Sequence, residues 1–277
     1  MKENKIISRR EALRRIFTAA GLVAVSPSLM SFYNQLTDPS GRSSLVPDKF
    51  FINRVREALK GAGKLSIPPA GSGKRVYQVY SLLFADRPLR KGTILLNHDG
   101  DALSAEIRRQ GSSPEKFSQF IFIKQKVRSD ALLSPVSWTY KSYLAKTVNG
   151  ASYRTPLEGR GEYDGKGLIA VSEGSATRNY HAPLPTAMKW NLLLAIDSIA
   201  KGNLPLEFGL IDEYDLYAGE RKIQPYATAS VESDGKTIAL RSVVMTGPGT
   251  LPAFFWLDET GTPLFVNTGT EVYILNG

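Results

Sequence analysis

The chain has 277 residues, 35 Lys and Arg against 26 Asp and Glu, a formal net charge of +9, and no cysteine. The lack of cysteine excludes disulfides, thiolate catalysis and zinc or iron–sulfur sites built on Cys. Six basic and two acidic side chains among the first fifteen residues account for +4 of the net charge. The remaining +5 comes from basic residues that are spread along the chain without a run of like charges. The basic balance therefore does not indicate nucleic-acid binding.

The N-terminus has the pattern of an export signal. Arg9 and Arg10 precede an apolar run over residues 16–25, and a basic segment followed by a short apolar one is typical of such signals. Residues 8–14 resemble a bacterial twin-arginine signal, in which Arg9, Arg10 and Leu13 match the usual pattern. The resemblance implies the twin-arginine export machinery as a partner and a periplasmic or otherwise extracytoplasmic location. The alternative is an amphipathic helix of a cytosolic protein.

Composition divides the chain into three parts: a signal segment over residues 1–30, a flexible linker over 31–47 and a single β-rich domain over 48–277. The linker is rich in turn-forming residues and lacks an apolar period. Asp48 can cap a helix over residues 49–60 that ends at Gly61. The domain holds no apolar run of the ~20 residues that cross a bilayer, so we expect no transmembrane span there. Whether the signal is cleaved or retained as an anchor stays open.

From Arg75 onward the apolar period is that of strands, interrupted by Gly, Pro, Asn and Asp. Asp-Gly at residues 99–100 and 234–235, and the segment Asp258–Gly261, predict hairpin turns. Gly159–Gly161 fits a turn better than a dinucleotide-binding loop, because no third glycine opens a helix. The predicted strands cover residues 75–83, 93–97, 102–108, 117–127, 136–145, 167–171, 177–181, 206–216, 224–232, 237–245, 253–257, 263–267 and 271–275.

One segment, residues 186–202, has the apolar spacing of a helix. Met188 and Ile196 share its apolar face, Thr186 can cap its start, and Gly202 can end it. The sequence therefore predicts a mainly β fold, a large curved antiparallel sheet or open β-barrel with two helices, of which the second plugs the sheet.

Three segments, Pro135–Tyr140, Trp190–Leu193 and Phe255–Leu264, carry a further resemblance. The chain is similar to exported, strand-rich families of unknown function from bacterial cell envelopes, and more loosely to half-barrel lipoprotein carriers with a helix in the mouth. The likeness to carriers implies a lipid-sized apolar ligand. It assigns no role to any residue.

Side chains suited to catalysis are few. His98 lies in a predicted hairpin turn beside Asp99, where a polar turn explains both residues and we assign no metal. His181 ends a strand, and Glu213 and Asp215 fall on one face of another, where such a pair can serve as acid and base or bind calcium. Glu213, Asp215 and His181 are the candidate catalytic residues, with a solvated strand face and an edge position as the alternatives. No Gly-x-Ser-x-Gly elbow is present to support a serine hydrolase.

Aromatic residues suggest a binding role. Trp138 with Tyr140, and Phe254 with Trp256, each share one face of a strand. On a concave face these four side chains could line an apolar ligand cavity, and core packing is the alternative.

Two functions follow. The first is an exported periplasmic module that is not an enzyme and binds an apolar ligand, such as a lipid, or another envelope component. The alternative is a hydrolase or lyase that acts on carbohydrate or cell wall through carboxylates. No cofactor motif is visible; because the twin-arginine route carries folded cargo, a cofactor acquired before export stays an open question.

Overall fold

The computed structural model of the chain describes residue 58 and residues 73–82, 89–110, 117–148, 151–233 and 236–276. The export signal, the linker and the helix expected over residues 49–60 lie outside these ranges, apart from Ala58, which is helical and buried. Those three predictions therefore stay predictions.

The described residues form fifteen strands of one sheet. The first eight strands are β1 (Lys74–Ser81), β2 (Leu89–Asp99), β3 (Ala102–Gln110), β4 (Phe117–Val127), β5 (Pro135–Val148), β6 (Ala151–Tyr163), β7 (Leu168–Glu173) and β8 (Ala176–His181). The other seven are β9 (Thr186–Met188), β10 (Leu206–Asp212), β11 (Leu216–Ser233), β12 (Lys236–Thr246), β13 (Ala253–Leu257), β14 (Pro263–Asn267) and β15 (Glu271–Leu275). The helix α1 (Leu192–Lys201) lies between β9 and β10 in the chain.

The strand order shows that the sheet is curled. Across the sheet, β8 to β1 are followed by β15 to β9, so β8 and β9 are its two edges. Only four residues, 182–185, join these edges in the chain, and five Cα steps span at most about 18 Å. A flat sheet of fifteen strands is about 67 Å wide. The sheet therefore curves until its edges approach each other, and it stays open because β8 and β9 do not pair.

The curvature gives the sheet an inner and an outer face, which strand β3 illustrates. Leu103, Ala105 and Ile107 alternate along β3 and are buried, whereas Glu106 and Arg108, on the opposite face, are not. We call the face of Leu103 inner and the face of Arg108 outer. The inner face carries the core, with these largest fully buried strand residues: Tyr77, Ile94, Leu96, Leu103, Ile107, Ile121, Ile123, Tyr140 and Phe208. The predicted mainly β fold and large curved antiparallel sheet are thus confirmed.

Helix α1 begins later than the sequence predicts. Thr186 does not cap it, because residues 186–188 form β9, which pairs in parallel with β10. An apolar segment of this length fits either a strand or a helix, and pairing with β10 satisfies its backbone groups. Gly202 ends the helix as predicted, and its N–H bonds to the carbonyls of Ser198 and Ile199.

The start of α1 packs inside the curled sheet, which agrees with the predicted plug. The guanidinium of Arg75 on β1 donates to the carbonyl of Leu193. Gln125 on β4 and Asn191 exchange two side-chain amide hydrogen bonds of 2.8 and 3.0 Å. No helix within the described ranges is long and apolar enough to cross a membrane.

Two predictions about loops have opposite outcomes. The hairpin at Asp99–Gly100 is confirmed, since β2 and β3 pair on either side of it and Gly100 has a φ of 58°. Gly159–Gly161 was expected to turn, but these residues lie inside β6, a strand that the sequence analysis did not predict. Glycines weaken a strand pattern, and their role becomes visible only from the neighbouring strand.

Candidate functional site

The predicted carboxylate pair lies in a turn and not on a strand face. Residues 213–215 connect β10 to β11, and we call them the β10–β11 turn. Glu213 has a φ of 57°, a conformation that non-glycine residues seldom adopt. The strand expected over residues 206–216 is therefore broken at Asp212. Side chains of the turn reach two separate parts of the sheet.

Glu213 faces two cations on one side of the turn. Its Oε1 lies 2.8 Å from Nη1 of Arg109 and 3.8 Å from Nζ of Lys189. Arg109 also lies 3.7 Å from Glu271 on β15. Both cations stand over the ring of Trp190, with Cζ of Arg109 at 5.5 Å and Nζ of Lys189 at 5.1 Å from its centroid. With Arg109 and Glu213 only 19% and 20% exposed, this ion pair is largely shielded from water.

The cations of this group stay charged. Burial alone would lower the pKa of Lys189, but the oxygens of Tyr273, Glu213 and Asp212 outweigh burial and raise that pKa above its ordinary value. Arg109 shows the same balance, and its pKa is also raised. Burial raises the pKa of Tyr273 to about 12, so its hydroxyl stays protonated near neutral pH. Such a group holds fixed ion pairs and offers no cation that titrates near neutral pH.

Asp215 faces the opposite side of the turn. Its carboxylate, 6% exposed, lies 3.4 Å from Nη2 of Arg178, which also lies 3.2 Å from Glu173. The hydroxyl of Tyr180 donates to the backbone carbonyl of Asp215 at 3.2 Å, and the hydroxyl of Tyr140 donates to Glu173. Both carboxylates of the predicted pair thus bind cations from different strands.

The predicted aromatic pair on β5 packs against the same turn. Nε1 of Trp138 donates to the carbonyl of Tyr214 at 2.7 Å, and the rings of Tyr140 and Tyr214 lie 4.3 Å apart. Gly161 and Gly159 stand opposite Trp138 and Tyr140 on β6. A Cβ on Gly161 would come within 2.0 Å of the Trp138 ring, and one on Gly159 within 2.4 Å of the Tyr140 hydroxyl. The two glycines make room for rings that are buried in the core.

The other predicted aromatic pair lies elsewhere. Phe254 is buried, with its ring 4.9 Å from that of Tyr226. Trp256 is half-buried and stacks on Phe265 at 5.7 Å. Trp138 therefore contacts the turn that carries Glu213 and Asp215, whereas the ring contacts of Phe254 and Trp256 lie elsewhere.

Neither histidine joins the β10–β11 turn. His181 is exposed at the end of the edge strand β8. His98 belongs to β2, opposite Leu103, and not to the hairpin turn itself. Within the described ranges, no three His, Cys, Asp or Glu side chains group as a metal site would require. No described contact links His181 to Glu213 or Asp215, so the three candidate catalytic residues do not form one constellation.

A second site, absent from the sequence predictions, is a cavity of about 500 Å³ that opens by the ends of β2, β3 and β4. Five of its lining residues belong to the outer face, and three of its lining residues are arginines. We call it the arginine pocket. Its lining is Arg90, Gly92, Thr93, Arg108, Arg109, Gln110, Ser118 and Phe120.

The three arginines differ in their partners. The guanidinium of Arg109 is engaged by Glu213 on the inner face. Arg108, whose side chain is 59% exposed, donates from Nε to Glu106 at 2.5 Å. Arg90 is exposed and makes no ion pair with any residue that the structure describes. On its outer side, the described lining residues consequently carry a net positive charge.

An aromatic group adjoins this pocket on the outer face. Phe120, which lines the pocket, stands opposite Tyr143 of β5, and the rings of Phe122 and Tyr143 meet edge to face at 6.4 Å. Phe122 is 37% exposed, so part of its apolar ring faces solvent. We call Phe120, Phe122 and Tyr143 the outer aromatic patch. Its sequence signal is the unbroken apolar run 120–123, which places apolar side chains on both faces of β4.

Comparisons with known proteins add a distant likeness among solved structures. No family model matches the chain, and no curated protein matches it. Among solved structures, the chain is similar to a β-barrel-like protein of the domain of unknown function DUF1849 from Brucella abortus, at 10% identity and a TM-score of 0.45 over 73% of this chain and 94% of that chain.

Proposed function

We propose that the protein is exported to the bacterial periplasm, where it binds an apolar ligand or another envelope component without catalysing a reaction. The observation that carries this proposal is the outer aromatic patch, in which Phe122 stays 37% exposed beside a cavity of about 500 Å³. Binding sites for small molecules commonly have this size. Here Phe120 supplies an apolar wall beside polar lining residues that include Thr93 and Ser118.

The inner side of the sheet supports the non-catalytic part of the proposal. Glu213 is engaged by Arg109 and Lys189, and Asp215 by Arg178. A glycosidase needs one carboxyl group that gives up a proton and a second that attacks or activates water across an open cleft. Carboxylates that hold the curled sheet together through fixed cations do not serve this chemistry. Trp138 and Tyr140 also act there as packing groups, so we place the ligand on the outer face.

Mass measurement tests the ligand. The protein is purified from the envelope fraction of its own host and weighed under native and then denaturing conditions. We expect an extra mass that disappears on denaturation in wild type and is lost or reduced in Phe122→Ser. Leu216→Ser is the matched control, because Leu216 is also exposed, at 48%, but lies away from the patch on β11. Equal extra mass in all three proteins would contradict a ligand at the patch.

Two further experiments test export and catalysis. Replacement of Arg9 and Arg10 together by Lys should leave the protein in the cytoplasm if the twin-arginine route carries it, with wild type as the control.

Purified protein should release no product from peptidoglycan or polysaccharide. Hydrolysis by wild type that vanishes in Glu213→Gln, with folding intact by circular dichroism, would overturn the non-catalytic proposal.

A further inference from the structure

The arginine pocket brings cationic side chains together around one cavity of the outer face. Two lysines elsewhere on this face lie beside carboxylates, Lys141 at 3.1 Å from Glu158 and Lys126 at 3.3 Å from Asp101. In the pocket, Glu106 is the one carboxylate within the described residues that contacts Arg108, and none contacts Arg90. Among the described residues, these two guanidinium groups thus share one carboxylate partner.

The contact with Glu106 leaves most of the Arg108 guanidinium available. A guanidinium has five N–H donors in a planar fork. Glu106 accepts from Nε and approaches Nη2, which fixes the plane of the group without using all of its donors. A fixed guanidinium fork suits the paired oxygens of a phosphate or a carboxylate. Arg108 is therefore positioned to receive an oxyanion in the pocket.

The pocket and the outer aromatic patch share Phe120, which makes the two parts one continuous surface. Phe120 lies between Arg108 on β3 and Tyr143 on β5 in the registered rows of the sheet. One ligand that enters the pocket with a charged end would pass Phe120 and lie along Phe122 and Tyr143. Thr93 and Ser118 line the pocket and add hydroxyl groups at the charged end.

We propose that the ligand is an amphiphile with an oxyanion headgroup, which Arg90 and Arg108 hold in the arginine pocket while its apolar chain lies on the outer aromatic patch. This inference rests on the proposed binding function and names the class of ligand. It accounts for the position of two arginines beside a partly exposed phenylalanine ring and two half-buried aromatic rings, which an entirely apolar ligand does not.

Short-chain phospholipids below their critical micelle concentration test the inference. Calorimetric titration of the full-length protein compares dihexanoyl phosphatidylglycerol, which has an anionic head, with dihexanoyl phosphatidylcholine, which has a zwitterionic one. Both lipids carry the phosphate oxyanion, but only the choline headgroup adds an ammonium, which the two guanidinium groups repel. We therefore expect phosphatidylglycerol to bind about tenfold more tightly or better. The double variant Arg90→Gln with Arg108→Gln should remove this preference. Lys124→Gln is the matched control, since Lys124 is exposed on the same face of β4 and does not line the pocket.

Each other outcome has a distinct meaning. Equal binding of the two lipids, or a preference that survives the double variant, overturns the headgroup inference and leaves the proposed binding function intact. Inorganic phosphate that binds as tightly as phosphatidylglycerol also overturns it, because the pocket would then take a free oxyanion. Absence of binding by either lipid, together with no extra mass on the protein from its host, overturns both proposals.

Discussion

The β10–β11 turn and the arginine pocket contain the same types of side chain. The two regions differ in how far these side chains are shielded from solvent and paired with one another. Around the turn, guanidinium groups, carboxylates and aromatic rings are shielded and matched to one another, as Arg109 with Glu213 and Trp138 with the backbone of Tyr214 show. At the pocket, Arg90 lacks an acidic partner among the described residues and Phe122 is partly open to solvent.

This difference teaches that a dense group of functional side chains is not by itself a functional site. A charge whose partner is already present stabilises the fold, because removal of either partner leaves the other desolvated and unpaired. A charge or ring that is left unmatched at the surface is available to another molecule. The two carboxylates of the β10–β11 turn, Glu213 and Asp215, belong to the first kind.

The largest expected effect is the loss of Trp138. Trp138→Ala removes a buried ring and its hydrogen bond to Tyr214, and we expect the free energy of unfolding to fall by about 3–5 kcal/mol. Urea unfolding followed by circular dichroism measures the change. Trp256→Ala, at a half-buried position, is the control and should cost clearly less. If both variants lost the same unfolding free energy, the packing of Trp138 against the turn would stabilise the fold no more than the packing of Trp256 on β13 does.

The next effect, taken for each buried tyrosine of the inner face, should appear at alkaline pH. Burial raises the pKa values of Tyr77 and Tyr273 to about 12, against 10.0 for an exposed tyrosine. The unfolded chain therefore releases these protons first, so their stabilising effect is complete below pH 10 and is lost as the pH rises through about 12. Each tyrosine contributes roughly 3 kcal/mol to this loss.

Urea unfolding at several pH values between 9 and 12 checks this dependence. Tyr77→Phe removes one of the two groups and should make the decline of the unfolding free energy with pH visibly shallower. A decline as steep as in wild type would show that Tyr77 titrates in the folded protein as it does in the unfolded chain.

A double-mutant cycle should give a smaller value for the ion pair on the turn. Arg109→Gln and Glu213→Gln, alone and combined, should show a coupling of about 1–2 kcal/mol, between the values typical of exposed and of buried pairs. Lys141 and Glu158 form the control pair, because they are 3.1 Å apart but 57% and 53% exposed. Their coupling should stay below about 0.5 kcal/mol. Equal coupling in both cycles would remove the distinction between the turn and the open surface.

The smallest effect on stability is expected at the outer aromatic patch. Phe122→Ser should change the free energy of unfolding by about 1 kcal/mol or less, since the ring is already partly exposed. Thermal and urea unfolding of the variant measure this directly. A loss as large as that of Trp138→Ala would show that Phe122 belongs to the core and would remove the patch as a binding surface.

Strand positions, several hairpins and the shared face of Trp138 and Tyr140 could be predicted from the sequence, because side-chain alternation and Asp-Gly turns are local signals. β6 was not predicted, because Gly159 and Gly161 are residue types typical of loops. Their role in a strand depends on the rings of Trp138 and Tyr140, which pack against them from β5. The turn at Glu213 was not predicted either, since a glutamate at positive φ carries no sequence signal.

The sequence by itself determined that this chain alternates as strands, that its arginines and aromatic residues are numerous, and that it contains no cysteine. The tertiary structure decided which of those side chains meet. The contact of Arg109 with Glu213 joins residues 104 positions apart, and the arginine pocket depends on the register of β2, β3 and β4. Register and curvature arise from pairing and packing between distant segments, and a pattern within one segment does not specify them.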